Sequence, residues 1–356
     1  MITLALIFGG RSAEHEISLA SARFVADNLF PEKYRVVPVG LLRSGAWVLP
    51  QDLDTTLRDG LDGSSCDPVA LLPDPTRPGL ETAAGARIAL DFAFPILHGT
   101  YGEDGTIQGL LEMADLPYAG AGVLASSVGM DKELMKAAFA AYGLPQVDYL
   151  VARDAAADQA SLVQRVEARF SYPVFVKPAN LGSSVGMTKA HDRAELVSAL
   201  ELAWRYDRKV IVEAFVAGRE VECAVLGNAA PEASVPGEVV PAHEYYDYES
   251  KYTDGLMSMK IPAPLSDEVT ARVRELAVAA FRAVDCSGYA RCDFFVREPG
   301  GEVLVNEINT IPGMTHMSAF PLLWAAAGVQ SPALIDRIVD LGIERHAVRS
   351  RLSVSR

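Results

Sequence analysis

The first part of the chain alternates short apolar runs with segments of helical spacing. The predicted strands cover residues 2–8, 36–42 and 88–97, and the predicted helices cover 17–29 and 107–114. Continuous apolar runs separated by helices are typical of buried parallel strands. Residues 51–85 are rich in Asp, Gly, Pro and Thr, so we predict loops and short elements there. The pattern as a whole predicts an open α/β domain over residues 1–125.

From residue 126 onward the pattern changes to short strands mixed with helices, which predicts an α+β region. The predicted helices cover 130–142, 160–170 and 193–206 and begin again near residue 266, and two single strands cover 149–152 and 174–177. Two further pairs of strand-like runs have hairpin signatures. The first pair is 209–216 and 220–226, joined by Ala217-Gly218-Arg219, and the second is 290–296 and 303–308, joined through Pro-Gly-Gly.

Composition limits the classes of function. The chain has 356 residues, with 32 Lys and Arg against 46 Asp and Glu, which gives a formal net charge of −14. Such an acidic surface repels the phosphate backbone, so we expect no dedicated nucleic-acid binder, although a local group of lysines can still bind a small anion. No apolar run is long enough to span a membrane, and the 4 cysteines form no CxxC pair. We therefore expect a cytoplasmic protein without membrane partners and with reduced thiols.

Three familiar motifs do not explain this sequence. Residues 120–125 fit GxGxxA, but they follow several predicted elements instead of the first strand, which favours a structural turn. Residues 182–186 fit GxSxG, but neither a strand directly before nor a helix directly after is predicted, which disfavours a hydrolase nucleophile. A Walker A motif is absent. The evidence for a dinucleotide enzyme or a hydrolase is therefore weak.

A stronger combination of residues lies in the second half. Lys177 ends a predicted strand and is followed by a Gly/Ser loop that reaches Gly186, an arrangement whose backbone N–H groups can bind phosphate oxygens. Asp293 lies on one predicted strand, and Glu307 and Asn309 lie two positions apart on the next, so the last two point to the same face. Carboxylate and amide oxygens beside a phosphate loop favour a magnesium site.

These residues fall within a longer set of motifs that resembles the D-alanine–D-alanine ligases of the ATP-grasp superfamily. The matching motifs are FGGRSAEHEIS at 8–18, LHGTYGEDGTIQG at 97–109, MDK at 130–132, VKP at 176–178 and NTIPGMT at 309–315. The resemblance implies a Rossmann-like N-terminal domain over 1–125, followed by a two-part ATP-grasp fold. Its central part would cover 126–219, and its C-terminal part, with the metal and substrate site, would cover 220–356.

The resemblance also implies roles for individual residues. The implied ATP ligands are Lys132 and Lys177 at the phosphates, Glu213 at the adenine hinge, Glu220 at the ribose and Lys251 in a mobile loop. The implied metal ligands are Asp293, Glu307 and Asn309, which would hold two Mg²⁺ or Mn²⁺ ions. The implied catalytic residues are Glu14, Ser183, Tyr252 and Arg291, and the implied substrate-binding residues are Glu14, His98, Arg291, Gly313 and Ser318. Residues 245–259 would form the lid.

The family chemistry is the ATP-dependent joining of two D-alanine molecules through an acyl phosphate, as a step toward peptidoglycan precursors. D-alanine is thus the expected substrate, ATP the expected cosubstrate and a homodimer the expected assembly. Related ligases that form a D-alanyl-D-lactate ester commonly differ in the loop that carries Tyr252 here, so the resemblance implies formation of a dipeptide. Three alternatives remain at this point: a D-alanine–D-lactate ligase, another ATP-grasp carboxylate–amine ligase, and a nucleotide-binding protein without catalysis.

Overall fold

A first sheet occupies the N-terminal part of the chain. The computed structural model describes residues 1–153, 155–182, 185–241 and 257–353. The strands of this sheet are β1 (Ile2–Gly9), β2 (Tyr34–Leu41), β3 (Trp47–Pro50), β4 (Cys66–Leu72), β5 (Gly79–Thr82), β6 (Arg87–Ala89) and β7 (Phe92–Pro95), in the spatial order β6-β5-β4-β3-β2-β1-β7. The helices of this part are α1 (His15–Asn28), α2 (Leu53–Asp59) and α3 (Thr106–Met113). The apolar strand β1 pairs in parallel with β2 and β7, which agrees with the predicted α/β domain.

The structure agrees with one expectation for this part of the chain and contradicts another. The segment 51–85 does contain short elements, and its strands β4 and β5 extend the sheet by antiparallel pairing. The predicted single strand 88–97 is wrong, because the chain leaves β6 at one edge of the sheet and enters β7 at the other. Asp91 lies at this crossing, where its carboxylate accepts a hydrogen bond from the backbone N–H of Thr3 at 2.8 Å.

A second sheet follows two helices, α4 (Val123–Met130) and α5 (Lys132–Ala141). Its antiparallel strands are β8 (Tyr149–Ala152), β9 (Val174–Pro178), β10 (Thr188–Ala190) and β11 (Val210–Ala214), in the order β10-β9-β11-β8. The helices α6 (Ala155–Arg169) and α7 (Arg193–Ala203) pack on this sheet through Leu162, Val166, Leu196 and Leu200. Asp192 caps α7 by accepting a hydrogen bond from the backbone of Glu195.

A third sheet carries the predicted metal ligands. Its strands are β12 (Gly218–Gly227), β13 (Glu232–Ala233), β14 (Gly237–Pro241), β15 (Met257–Lys260), β16 (Gly288–Arg297) and β17 (Val303–Asn309), and the order along the main path is β15-β14-β12-β16-β17. The predicted hairpin at 290–308 is confirmed, since β16 and β17 pair antiparallel. The predicted hairpin at 209–226 is wrong. The strand β11 pairs with β8 and β9 in the second sheet, whereas β12 pairs with β14 and β16 in the third.

One face of the third sheet is apolar and packs on α8 (Asp267–Ala283), which begins after its cap Ser266 as predicted. The core between them contains side chains from β12, β16 and β17 together with Leu276 and Phe281 of α8. Met135 and Phe139 of α5 also belong to this core. Because side chains alternate along a strand, the opposite face of the same strands carries the polar residues.

The last two helices connect the third sheet to the first. They are α9 (Ala319–Ala326) and α10 (Ser331–Arg349). Leu334, Ile335 and Ile338 of α10 are fully buried in one core with Leu4 and Phe94 of the first sheet. Over the described residues, no helix has the length and apolarity needed to cross a membrane. The four cysteines are free thiols, three of them buried.

Candidate functional site

A cavity of about 650 Å³ lies where the three sheets meet. Each predicted site residue that the structure describes lines it. These are Glu14, His98, Lys132, Lys177, Glu213, Glu220, Arg291, Asp293, Glu307, Asn309, Gly313 and Ser318. Ser183, Lys251, Tyr252 and most of the predicted lid at 245–259 lie outside the described residues. Residues that are far apart in sequence are thus brought to a single cavity.

Strand register explains how the third sheet presents its polar residues. Across β16 and β17, Asp293 is opposite Glu307 and Arg291 is opposite Asn309. On the other side of β16, Asp293 is opposite Glu222 of β12. Directly opposed residues share a face, so these five side chains form one polar patch on the side away from α8.

Arg291 organises this patch. Its Nε and Nη2 atoms donate to the two carboxylate oxygens of Asp293 at 2.7 and 2.6 Å, which is the bidentate geometry of guanidinium and carboxylate. Glu222 approaches the same guanidinium at 3.4 Å. The Nδ2 atom of Asn309 donates to Asp293 at 3.0 Å. The planar guanidinium is therefore held by carboxylates on two neighbouring strands, with its orientation fixed.

The donor set of Asp293, Glu307 and Asn309 fits a hard divalent cation. It offers two carboxylates and one amide oxygen on a single face of the sheet. Among the residues that the structure describes, no group of three or more His, Cys, Asp or Glu side chains is arranged to hold a metal. Magnesium commonly binds through one or two carboxylates together with nucleotide phosphates and water. These residues therefore fit a metal ion that a phosphate ligand completes.

A cluster of buried charges lies at the second sheet. Glu213 of β11 receives Lys177 of β9 at 2.6 Å on one carboxylate oxygen and Lys136 of α5 at 3.0 Å on the other. Burial alone would raise the pKa of Glu213, but the two ammonium groups lower it to about 2. Burial opposes the charge of Lys177, yet Glu213 and Glu307 raise the pKa of this lysine above its ordinary value. Glu213 and Lys177 therefore remain charged at neutral pH.

Lys132 stands at the start of α5, where the backbone holds it firmly. Its N–H donates to the carbonyl of Ala179 at 2.9 Å, and its Nζ donates to the carbonyl of Leu181 at 2.8 Å. The same ammonium lies 3.9 Å from Glu307. The preceding Asp131 caps the helix and forms an ion pair with the buried Lys209. Lys132 is thereby placed between the Gly/Ser loop and the acidic patch.

Two glutamates occupy the end of the cavity nearest the first sheet. Glu14 precedes α1 and is buried, and a Cβ atom built on Gly99 would lie only 2.7 Å from its Oε2. Glu103 accepts a hydrogen bond from the backbone N–H of Gly99 at 2.6 Å. Burial, reinforced by the charge of Glu14, raises the pKa of Glu103 to about 8. The two carboxyl groups thus meet around one glycine, and an ammonium group bound there would offset their mutual repulsion.

His98 connects the first sheet to the segment after β17. Its Nδ1 lies 3.0 Å from the carbonyl of Ile311, which can only accept, so Nδ1 carries the proton. Its Nε2 then accepts from the hydroxyl of Ser21 at 2.8 Å, and burial lowers the pKa of the imidazole. The structure thus places His98 at the cavity with both ring nitrogens already hydrogen-bonded to the protein.

The segment after β17 brings Gly313 and Ser318 together. The Ser318 hydroxyl accepts from the backbone of Thr315 at 3.0 Å and lies 2.8 Å from the Thr315 hydroxyl. A Cβ atom on Gly313 would lie 2.9 Å from this serine oxygen. The close approach explains why a glycine suits this turn.

Some residues in and around the cavity received no predicted role. Glu103 lies inside a motif that the sequence did reveal, and Glu222 follows Glu220 at the two-residue spacing of a strand face, so both could have been found. Lys136 could not, because a lysine within a predicted helix gives no sign of burial. Of the disfavoured motifs, Gly120 does lie in a structural turn, with a φ of 92° and close contact to Tyr289.

Family models match both halves of the chain. The model described as D-ala D-ala ligase N-terminus matches residues 3–121, and the model described as D-ala D-ala ligase C-terminus matches residues 138–340. Among curated proteins, a D-alanine–D-alanine ligase from Heliobacterium modesticaldum is 48% identical over 361 residues, covering 99% of this chain and 98% of that protein. One from Acetivibrio thermocellus is 47% identical, with 96% of each chain covered.

Solved structures of similar proteins also match nearly the whole length of this chain. The D-alanine–D-alanine ligase from Coxiella burnetii matches with a TM-score of 0.88 and 37% identity, covering 98% of this chain and 96% of that one. The VanG D-Ala:D-Ser ligase from Enterococcus faecalis matches with a TM-score of 0.87 and 35% identity, covering 96% of this chain and 99% of that one. The similarity therefore extends through all three sheets.

Proposed function

Because the chain belongs to the D-alanine–D-alanine ligase family, we propose that it joins two D-alanine molecules into D-alanyl-D-alanine while ATP is converted to ADP and phosphate. The observation that carries this proposal is the convergence at one cavity of two lysines suited to phosphate, an acidic patch suited to a metal and the carboxyl groups of Glu14 and Glu103. The product would serve the synthesis of peptidoglycan precursors.

The chemistry requires activation of a carboxylate, since oxide is a poor leaving group. One oxygen of the first D-alanine carboxylate attacks the γ-phosphorus of ATP, and ADP leaves. The amine of the second D-alanine then attacks the carbonyl carbon of the acyl phosphate, phosphate leaves, and the amine loses a proton as the peptide bond forms. Each transfer needs aligned groups and a site without free water.

The cavity residues have positions that suit these steps. Lys132 and Lys177 would neutralise the phosphates. Glu14, beside Glu103, would bind the ammonium of the first D-alanine. Arg291 would stabilise the oxyanion formed when the amine attacks, because its guanidinium is already oriented by Asp293 and Glu222.

The nucleotide base and the metal would occupy the rest of the cavity. We place the adenine beside the β11 end near Glu213 and the ribose beside Glu220, and the closing loop would include Lys251. Asp293, Glu307 and Asn309 would hold one or two Mg²⁺ or Mn²⁺ ions, which when bound supply charge neutralisation at the phosphates. Ser183 and Tyr252 are proposed to orient the substrates together with Gly313 and Ser318.

The decisive experiment measures ADP formation with D-alanine, with L-alanine and without an amino acid. We expect ADP formation that requires D-alanine and yields the dipeptide. ADP formed at the same rate without any amino acid would contradict the proposal. D-serine and D-lactate offered in competition with D-alanine test the second-substrate choice, because one similar structure is a D-Ala:D-Ser ligase.

The family resemblance is also the basis for proposing a homodimer in the cytoplasm. Sedimentation of the purified protein tests the dimer, and cell fractionation tests the location.

A further inference from the structure

Lys136 is a fully buried lysine of α5, and it does not line the cavity. Its ammonium lies 3.0 Å from one oxygen of Glu213. The other oxygen of this carboxylate lies 2.6 Å from Lys177, which does line the cavity. Glu213 is thus placed between two ammonium groups. Lys136 lies on the side of the protein interior, and Lys177 lies on the side of the cavity.

Counting charges shows what the interior lysine contributes. Lys136, Lys177 and Glu213 together carry one net positive charge. Without Lys136, the pair of Lys177 and Glu213 would be neutral, and the field of Lys177 on a nearby anion would be largely cancelled by its own partner. Buried charges are weakly screened, so this difference acts over several ångströms.

We propose that Lys136 is a positioning residue for nucleotide phosphates: by neutralising Glu213 from the interior, it leaves the charge of Lys177 available to the polyphosphate. This inference rests on the proposed use of ATP. It assigns a role to a residue that does not line the cavity.

The alternative is that Lys136 only supports the fold. A fully buried ion pair contributes little net stability, because desolvation offsets the attraction. The substitution Lys136→Met replaces the unbranched stem with another unbranched chain and removes only the terminal ammonium, and it leaves Glu213 paired with Lys177, so no buried carboxylate is left without a cation. The backbone carbonyl of residue 136, which accepts from Gln146, is also retained. This variant is therefore expected to fold.

The test compares calorimetric Kd values for ADP and for adenosine, both with Mg²⁺ present, and uses the ratio of the adenosine Kd to the ADP Kd as the readout. Adenosine lacks the phosphates, so the ratio isolates their contribution. In Lys136→Met we expect the ratio to fall by about tenfold, which corresponds to about 1.4 kcal/mol. Lys33→Met is the matched control, because it removes the same net charge from an exposed lysine and should leave the ratio unchanged.

A second variant checks the cause. In Lys136→Met with Glu213→Gln, Lys177 no longer faces a carboxylate, so the ratio should return to within about threefold of wild type. Equal weakening of ADP and adenosine in Lys136→Met, or no weakening, would overturn the inference. A ratio of the adenosine Kd to the ADP Kd that stays low in the double variant would also overturn it. If Lys136→Met alone does not fold, the ratio in the double variant decides the matter. Wild-type protein that fails to bind ADP would instead refute the proposed function.

Discussion

Asp293 and Glu307 are directly opposite each other on the antiparallel strands β16 and β17. Like charges in this relationship repel, so each carboxylate needs a cationic partner. Arg291 pairs with Asp293, and Lys132 lies 3.9 Å from Glu307. The arrangement joins the residues proposed for phosphate, metal and oxyanion binding in one electrostatic unit.

Glu307→Gln should reduce turnover far more than nucleotide affinity. The variant loses one anionic oxygen from the metal set but leaves the adenine end of the cavity unchanged. We expect kcat to fall by about 100-fold or more while the Kd for ADP changes by only a few-fold. Steady-state assays across a magnesium titration, with ADP calorimetry alongside, measure both quantities. Normal turnover at saturating magnesium would remove Glu307 from the metal site.

Arg291→Lys should be severely impaired although the charge is kept. Lysine lacks the planar fork that now binds both oxygens of Asp293, so it cannot hold an oxyanion in fixed geometry. We expect kcat to fall by about 100-fold or more. Arg297→Lys is the matched control, since this exposed arginine of the same strand pairs with Glu302 at the surface. A rate for Arg291→Lys within about twofold of wild type would refute the oxyanion role.

Gly99→Ala should impair D-alanine binding by displacing Glu14. The new methyl group would lie 2.7 Å from the carboxylate oxygen, so the side chain must move. Gly85→Ala is a close control, because Gly85 has a φ of 76° against 75° for Gly99, and a Cβ there would meet nothing within 4 Å. Both variants should lose about 1 kcal/mol of stability through backbone strain.

Only Gly99→Ala should raise the KM for D-alanine, by about tenfold. The KM values come from ADP-release kinetics, and the stabilities come from urea unfolding. Equal KM values in the two alanine variants would show that the contact between residue 99 and Glu14 has no role in substrate binding.

Glu103→Gln should change how stability depends on pH. Because the folded protein raises the pKa of Glu103, the folded state binds more protons than the unfolded state in the range between the two values. The stability from this group is fully present below the unfolded pKa and is lost as the pH rises through the folded one. Glutamine mimics the protonated acid and does not titrate.

The Tm of Glu103→Gln should therefore rise relative to wild type, by at least about 2 °C, between about pH 5 and about pH 9. Glu16→Gln is the control, since Arg43 lowers the pKa of this exposed glutamate and its titration is complete below that range. A constant Tm difference between wild type and Glu103→Gln would show that the buried carboxyl does not titrate there.

The sequence pattern correctly predicted those elements that depend only on neighbouring residues. The apolar run of β1, the start of α8 near Ser266 and the hairpin of β16 and β17 all depend on adjacent residues. The two-residue spacing of Glu307 and Asn309 likewise placed both on the cavity side of β17.

The predictions failed where strand pairing depends on residues far apart in the sequence. Two strand-like runs around a glycine look alike whether they pair together, as in a hairpin, or enter different sheets, as β11 and β12 do. The run 88–97 likewise looks continuous in sequence, although its two parts lie in strands at opposite edges of the first sheet. The partners of Lys136 are equally invisible in sequence, because its burial results from packing between α5 and two sheets.

The docking of α10 on the first sheet has a consequence for biosynthesis. Leu4 and Phe94 are translated long before Leu334 and Ile338, which share their core. The N-terminal sheet therefore keeps an apolar face uncovered until α10 has been synthesised, and it cannot complete its core before then. Nascent chains of this protein should accordingly depend on chaperones that bind exposed apolar surface.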